Sequence, residues 1–414
     1  MGKRTFAMLA ALLFWLTGIY SATAQPFREL PPELDGTMMP IDLSRCDTVP
    51  VWGDTLKPCG AVYVSRHGAR FLSSENKVRK LEKTLSEARA SGTLTEKGER
   101  LMSLLDSVRR HTDGQWGALS DIGKQEQRVL ARQMHALAPM LMDTARIYAR
   151  ATYVPRVVMT MYEYCHTLAW LSSRVEVSTA EGHRFDSLLR FFKTDRGYAE
   201  YISDGAWKSV YQDFASHNVP TAPAVSLVGT DPGDDKLREI TMDMYGVLQG
   251  MRAVGLPAPT DYWMSEADYR RCWETANLDH YLLRSANAVS DLAPRSAKVL
   301  LRAMLSSLGS HAAAGGEMDF FFGHAETVMP LFALMRLPGC FCPELPMREV
   351  AERWKDYEVS PLGADLAIFL LRSESGRLYV AMRLNGKFIP MPGSIRKVTD
   401  WLEFKTFYGK MAAD

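Results

Sequence analysis

The chain has 414 residues, 47% of them apolar and 23% charged, with 49 Lys and Arg against 48 Asp and Glu. That composition excludes intrinsic disorder, and the near-zero net charge excludes a protein that binds nucleic acid by bulk electrostatics, though not one with a local basic pocket. The length allows one large domain or two of ordinary size, with a sizeable core.

The first segment reads as a targeting signal. Lys3 and Arg4 form a positive start, Thr5 to Tyr20 is a short, mostly apolar stretch, and Ala22-Thr23-Ala24 supplies a small-x-small cleavage pattern. Residues 1–24 are therefore expected to be a secretory signal peptide, cleaved before Gln25. The apolar run is shorter than the ~20 residues of a membrane span. No Cys follows the small residues, which disfavours a lipoprotein. Loss of Lys3 and Arg4 leaves one basic residue fewer than acidic ones. The mature protein is expected to be soluble, monomeric and exported, to the periplasm, outer-membrane vesicles or the medium, with no membrane insertion and no nucleic-acid partner.

Residues 25–59 are loop-rich, with Pro31-Pro32 and no sustained periodicity. Six Cys suit an oxidising compartment. Cys46 and Cys59 flank a short loop and form the expected disulfide; the remaining Cys have no connectivity assignable from sequence. Without a CxxC or a His pair at helical spacing, no metal site is expected. Ala61 to Ser65 (AVYVS) is a compact apolar run, predicted as a buried strand. Helices are predicted over Glu75–Arg89, Glu96–Arg110, and from Ser120-Asp121 to about Met142, broken near Pro139. Ala145–Ala151 is the next strand, Pro155 opens a helix to about Ser173, and Val175–Ser178 is a third strand. Strand, helices, strand, helix, strand implies an α/β protein with a mainly parallel sheet flanked by helices.

From 183 to 290 the strand signal fades into helical spacing, interrupted at Thr230-Asp231-Pro232-Gly233, as expected of a helical insertion or cap. Strand signals return at Met318–Phe322 (MDFFF), Leu366–Leu371 and Leu378–Leu384, the last two joined by Glu374-Ser375-Gly376 as a hairpin. The expected organisation is a core of 25–182 and 291–414 carrying the insertion at 183–290.

The strand AVYVS runs straight into Arg66-His67-Gly68-Ala69-Arg70. Ligands of open α/β sheets bind beyond the carboxyl ends of strands, so an imidazole and two guanidinium groups arrive where a ligand is expected. Arg presents a planar donor fork that matches phosphate oxygens. Gly68 is read as clearing space for a ligand at the backbone.

RHGxR directly after an apolar strand near the mature N-terminus resembles the histidine phosphatase superfamily, and within it the long secreted branch of histidine acid phosphatases and phytases. Arg150-Ala151-Thr152-Tyr153-Val154-Pro155-Arg156 matches that branch's R-x-T-x-x-x-R stretch. Gly323-His324-Ala325-Glu326, at the end of MDFFF, departs from the His-Asp of most bacterial and fungal phytases and is similar to the His-Ala-Glu of multiple inositol polyphosphate phosphatases. Arg190-Phe191-Phe192 and the hairpin from Leu384-Asn385-Gly386 to Pro392-Gly393 add to the resemblance, which covers nearly the whole mature chain. It implies that His67 is the nucleophile and forms a phosphohistidine, that Arg66, Arg70, Arg156 and His324 hold the phosphate, and that Glu326 donates a proton to the leaving alcohol. It implies no cofactor, since cationic side chains neutralise the phosphate. The substituted acid leaves the donor's position open. Arg184, at the start of the insertion, is a candidate contact for a distal phosphate.

His183, which opens the insertion beside Arg184, reads as structural or exposed, and His111, His135, His166, His217, His280 and His311 lack motif context and read as structural or solvated. Cys342 to Arg348 has the spacing of a cysteine phosphatase loop, but two Pro and a Glu inside it spoil the cradle of backbone N–H groups that mechanism needs. No P-loop, HExxH or G-x-S-x-G motif occurs. The expected activity is that of an exported phosphomonoesterase acting on a small molecule, inositol polyphosphates and principally phytate. Competing readings are a broad acid or sugar-phosphate phosphatase and, of another class, an inactive protein that binds a phosphate ligand. The signal peptide disfavours a phosphoglycerate mutase.

Overall fold

The computed structural model describes residues 27–413; the signal sequence expected over 1–24 lies outside them. One mixed sheet organises the chain. Its strands are β1 (Leu56–Arg66), β2 (Arg146–Ala151), β3 (Glu176–Glu181), β4 (Glu317–Gly323), β5 (Asp365–Ser373), β6 (Leu378–Leu384), β7 (Lys387–Ile389) and β8 (Val398–Asp400). The order is β3-β2-β4-β1-β5-β6-β7, with β8 also on β6. Pairs β3–β2, β2–β4 and β4–β1 are parallel, and the β5, β6, β7 and β8 pairings are antiparallel. So β1, β2, β3, β4 and β6 run one way, which makes most strands mutually parallel, as expected.

The central strands have no polar alternation because both faces are covered. Phe321 packs into a cluster on one face with Val62, Val64, Leu366 and Ile368. Phe320 and Phe322 enter the opposite cluster with Ala61, Tyr63, Ala367 and Phe369. At roughly 1.5–3 kcal/mol per buried large apolar side chain, these runs fix which strands lie inside. β1 starts at Leu56, earlier than its apolar run, and three-residue β7 and β8 escape sequence reading because they are too short to show a period.

Helices α1 (Asn76–Ala90), α2 (Glu96–Thr112), α3 (Asp121–Leu137) and α4 (Pro155–Leu171) lie close to their predicted bounds. Region 183–290 is helical, including α5 (Ala222–Val228), α6 (Asp234–Leu248) and α7 (Glu266–Arg284). Its apolar cluster is shared: Val78, Leu81, Leu101 and Leu105 of α1 and α2 pack with Leu227, Ile240, Met244 and Tyr269. The helical layer beside the sheet thus draws on two stretches of chain, not on 183–290 alone. Downstream, α8 (Lys298–Ala314), α9 (Ala325–Leu334) and α10 (Trp401–Ala412) complete the cover. No helix among the described residues is long and apolar enough to cross a membrane.

The expected Cys46–Cys59 disulfide is absent, and all six Cys are free thiols. Because β1 begins at Leu56, Cys59 belongs to the strand and lies beside Arg372 of β5. Cys46 instead packs under the turn at Gly386, where a side chain in place of the glycine hydrogen would collide with its sulfur.

Candidate active site

Register builds the site. β1 and β4 pair in parallel with Arg66 opposite Gly323, so the residues that follow, His67 and His324, emerge side by side. Their rings lie 5.8 Å apart between centroids and both residues are buried. β2, on the far side of β4, sets Ala151 opposite Phe322 and so delivers Thr152 and Arg156 to the same edge. Pro155 opens α4, so Arg156 stands in its first turn, and His324 caps α9. Two helix N-termini therefore face the site, the end of a helix that favours anions.

The loop after β1 is held from below. Ala69 N–H donates to Glu126 Oε2 at 2.7 Å, and Gly68 N–H donates to Thr160 Oγ1 at 3.2 Å. Packing also requires Gly68: a Cβ there would lie 2.8 Å from the Gly123 carbonyl of α3. His67 Nδ1 lies 3.0 Å from the Gly68 carbonyl. That contact needs a proton on Nδ1, so the neutral ring presents the Nε2 lone pair. Burial, with Arg156, Arg66 and Arg70, holds the His67 pKa well below its usual value, which keeps the ring neutral and nucleophilic.

Arg66 donates through Nη1 to the carbonyls of Ser360, at 2.6 Å, and Thr37, at 2.8 Å, and Arg70 through Nη1 to the Phe71 carbonyl at 2.8 Å. The Nε–H groups of Arg66, Arg70 and Arg156 are buried with no partner. Burial and the neighbouring Arg70 charge lower Arg66 to about 9; burial and Arg156 lower Arg70 to about 10. Crowded guanidinium groups with orphaned donors are a site built for an anion. His324 Nε2 sits 3.2 Å from the Thr152 hydroxyl, and burial, with Arg156 and Arg190 and against the pull of Glu326, pushes its pKa down to about 3.

Sequence reasoning missed Arg284, whose Nη2 lies 3.2 Å from Glu326 Oε1. Burial opposes the charge on Glu326, yet Arg284 holds the carboxyl well below the usual carboxylate range. Arg190, quoted only as part of a motif, lies over the rings of Tyr153 and Phe192, and Phe192 in turn meets the edge of His324. Arg150, the first residue of R-x-T-x-x-x-R, is paired instead with Asp319 of β4. Arg184 is exposed, with its guanidinium over Phe185 and away from these residues. His183 lies closer to them, stacked on Tyr153 and 3.0 Å from Asp186, which also holds Arg190.

No family model and no curated protein matches the chain. Solved structures do. The multiple inositol polyphosphate phosphatase of Bifidobacterium longum, in complex with inositol hexasulfate, superposes with a TM-score of 0.77 at 14% identity over 91% of this chain and 97% of its own. The phytase from D. castellii gives 0.71 at 15% identity, over 92% and 85%. The chain has the phytase fold. A third structure, the phytase of Klebsiella sp. ASR1, gives 0.53 at 16% identity over 87% and 98%. At these identities the phytase fold is shared while most side chains differ, so the chemistry rests on the residues above.

Glu126 yields a test of how that loop is supported. It is 3% exposed, and burial, offset only in part by the Ala69 and Ile41 backbone donors, raises its pKa to about 8. A carboxyl raised in the fold stabilises it fully below the unfolded pKa and loses that contribution as pH rises through the folded one, by up to about 1.4 kcal/mol per pH unit. Glu126→Gln keeps the acceptor for Ala69 and cannot ionise. Urea midpoints of wild type should therefore fall relative to the variant between about pH 5 and pH 8. A pH-independent difference would refute a buried protonated Glu126.

Proposed function

We propose that the protein is an exported phosphomonoesterase that hydrolyses inositol polyphosphates, principally phytate, through a phosphohistidine. The observation that carries this reading is the neutral His67 imidazole set among Arg66, Arg70, Arg156 and His324, with guanidinium N–H groups left without partners. Phosphatases of the same fold act on, or bind analogues of, such substrates.

In the proposed reaction the arginines draw the phosphate oxygens into line with His67 Nε2. A bond forms from Nε2 to phosphorus as the bond from phosphorus to the inositol oxygen breaks. That oxygen is strongly basic and takes a proton from Glu326 as it departs. Glu326 is ionised in the free protein. Phosphate oxygens that occupy the neighbouring cations relieve the pull that keeps it so, and the carboxyl takes up a proton when substrate arrives. Glu326 carboxylate then accepts a proton from water, which attacks the phosphohistidine and restores His67.

The deciding assay is phosphate release from phytate, glucose 1-phosphate and an aryl phosphate, with and without a chelator. Turnover of phytate in the presence of chelator is expected. Turnover of the aryl phosphate alone would reduce the reading to a general acid phosphatase, and turnover of none would leave a binding protein. Partly exposed charges are screened by salt, so KM for phytate should rise with ionic strength more steeply than KM for a simple monophosphate. Equal slopes would count against a dedicated polyphosphate pocket.

A further inference from the structure

β3 is the last strand of the sheet, with β2 as its single strand partner among the described residues. Glu176 N–H donates to the Ala145 carbonyl, at the start of β2. Alternate residues of a parallel strand bond to the same side, so Ser178 and Ala180 also face β2, and Val177, Thr179 and Glu181 turn N–H and C=O away from it. The devices that blunt an open edge are missing here. β3 keeps register with β2 over Glu176–Glu181 without a bulge, and its sequence, EVSTAE, has no Pro and no Lys.

Apolar side chains border this edge on both faces of the sheet. On one face, Glu163 of α4 pairs with Arg128 of α3 at 2.8 Å. The opposite flank of α4, with Val158, Tyr162 and Ala169 at helical spacing, is therefore the one beside β3. Val158 packs against the same cluster as Val175 and Val177, and Tyr162 is 41% exposed. On the other face Tyr148 of β2, 38% exposed, lies next to Ser178 across the ladder.

We propose that this edge is a contact between two copies of the chain, related by a two-fold axis at Ser178, with their β3 strands paired antiparallel so that one sheet runs through both. The strand supplies its own complement, because a two-fold contact sets the same patch against itself. Outward-facing residues must meet outward-facing ones, and the register centred on Ser178 pairs Val177 with Thr179 and Val175 with Glu181. It sets Glu176 opposite Ala180, so no two like charges face each other across the pair. The axis also brings the uncharged Tyr162 flanks of two α4 helices together above the joined strands and the two Tyr148 side chains towards each other below them. A dimer replaces the monomer expected from the sequence, and the inference is independent of the phosphatase reading.

Sedimentation equilibrium of the purified protein at micromolar concentration should give twice the chain mass. Thr179→Pro removes an outward N–H and sets a ring on the edge, a change that an edge strand tolerates. It should halve that mass, and so should Tyr162→Glu, which leaves the strand intact; an unchanged circular dichroism spectrum shows that each is folded. Ser178→Cys tests the register itself. Residue 178 sits on the axis in a pair without mutual hydrogen bonds, with Cα atoms about 4.5 Å apart, within the span of a disulfide. Oxidised glutathione should take two electrons and two protons from the two introduced thiols, joining the copies through one disulfide while it is reduced to two thiols. The chain should then run at doubled mass on a non-reducing gel, whereas Glu181→Cys, which faces Val175, should not cross-link. A wild type that stays monomeric, or a dimer that persists in folded Thr179→Pro and Tyr162→Glu and is not cross-linked by Ser178→Cys, overturns the proposal. So does a monomer that floats with vesicles of phosphatidylethanolamine and phosphatidylglycerol and loses that property in Tyr162→Glu, an outcome that would assign the face to a lipid surface.

Discussion

Replacement of His67 by Ala is expected to abolish phosphate release from every monoester, a loss on the order of 10⁴–10⁶-fold in kcat, with the circular dichroism spectrum unchanged. The reason is that the remaining groups can bind phosphate but cannot attack it. The guanidinium of Arg66 stays in place, because it is held by the carbonyls of Thr37 and Ser360 in other parts of the chain, and Arg70 donates to the Phe71 carbonyl; none of these bonds involves the His67 ring. The rival nucleophile is His324, also neutral and buried, with its ring 5.8 Å from that of His67. Acid quenching of the wild type with a labelled substrate should trap phosphate on nitrogen, and the label should vanish in His67→Ala. Label that persists in His67→Ala but vanishes in His324→Ala would move the nucleophile to His324.

The next largest expected effect depends on the leaving group. Glu326→Gln keeps the size of the side chain and an acceptor for Arg284, and cannot deliver a proton. General acid catalysis is worth ~10²–10⁴-fold where the leaving oxygen is basic. A loss of that size is expected in kcat for phytate, against a much smaller loss for nitrophenyl phosphate, whose phenolate departs without help. The comparison should be made in single turnover, at a pH where phosphoryl transfer limits both. If Glu326 merely anchors Arg284, at 3.2 Å, both substrates should lose equally, since phosphate positioning is common to both.

The parts of this site legible in the sequence are those in which several functional residues are consecutive and sit at the end of an apolar run. Arg66 ends β1 and His67 to Arg70 follow it, His324 to Glu326 follow β4, and Thr152 to Arg156 bridge β2 and α4. Arg284 was illegible for a physical reason. It stands on a long helix of the insertion, where spacing reports only which face is apolar, and its partner, Glu326, comes from a distant part of the chain. Glu126 was hidden similarly, as a charged residue of an amphipathic helix turned inward to hold Ala69. The expected disulfide failed because nearness in sequence was read as nearness of side chains, whereas β1 begins three residues before Cys59 and carries it into the sheet. The contribution of α1 and α2 to the helical layer was missed because periodicity identifies a buried face without naming what buries it.

The position of β4 has a consequence for the life of the chain before it is finished. β1 and β2 are made early and never pair with each other; the slot between them is reserved for a strand from the last quarter of the sequence. Until β4 arrives, each of those two strands keeps an unpaired edge in a sheet that must later be buried, the kind of edge that invites pairing with another chain. Pairing across so much intervening sequence is also slow, since loop closure precedes any contact that rewards it. The two histidines meet only when that slot fills, so catalytic competence and closure of the sheet are the same late event. Synthesis therefore yields an inert polymer at first, and reactivity appears only once the last quarter of the chain has been threaded between its first strands.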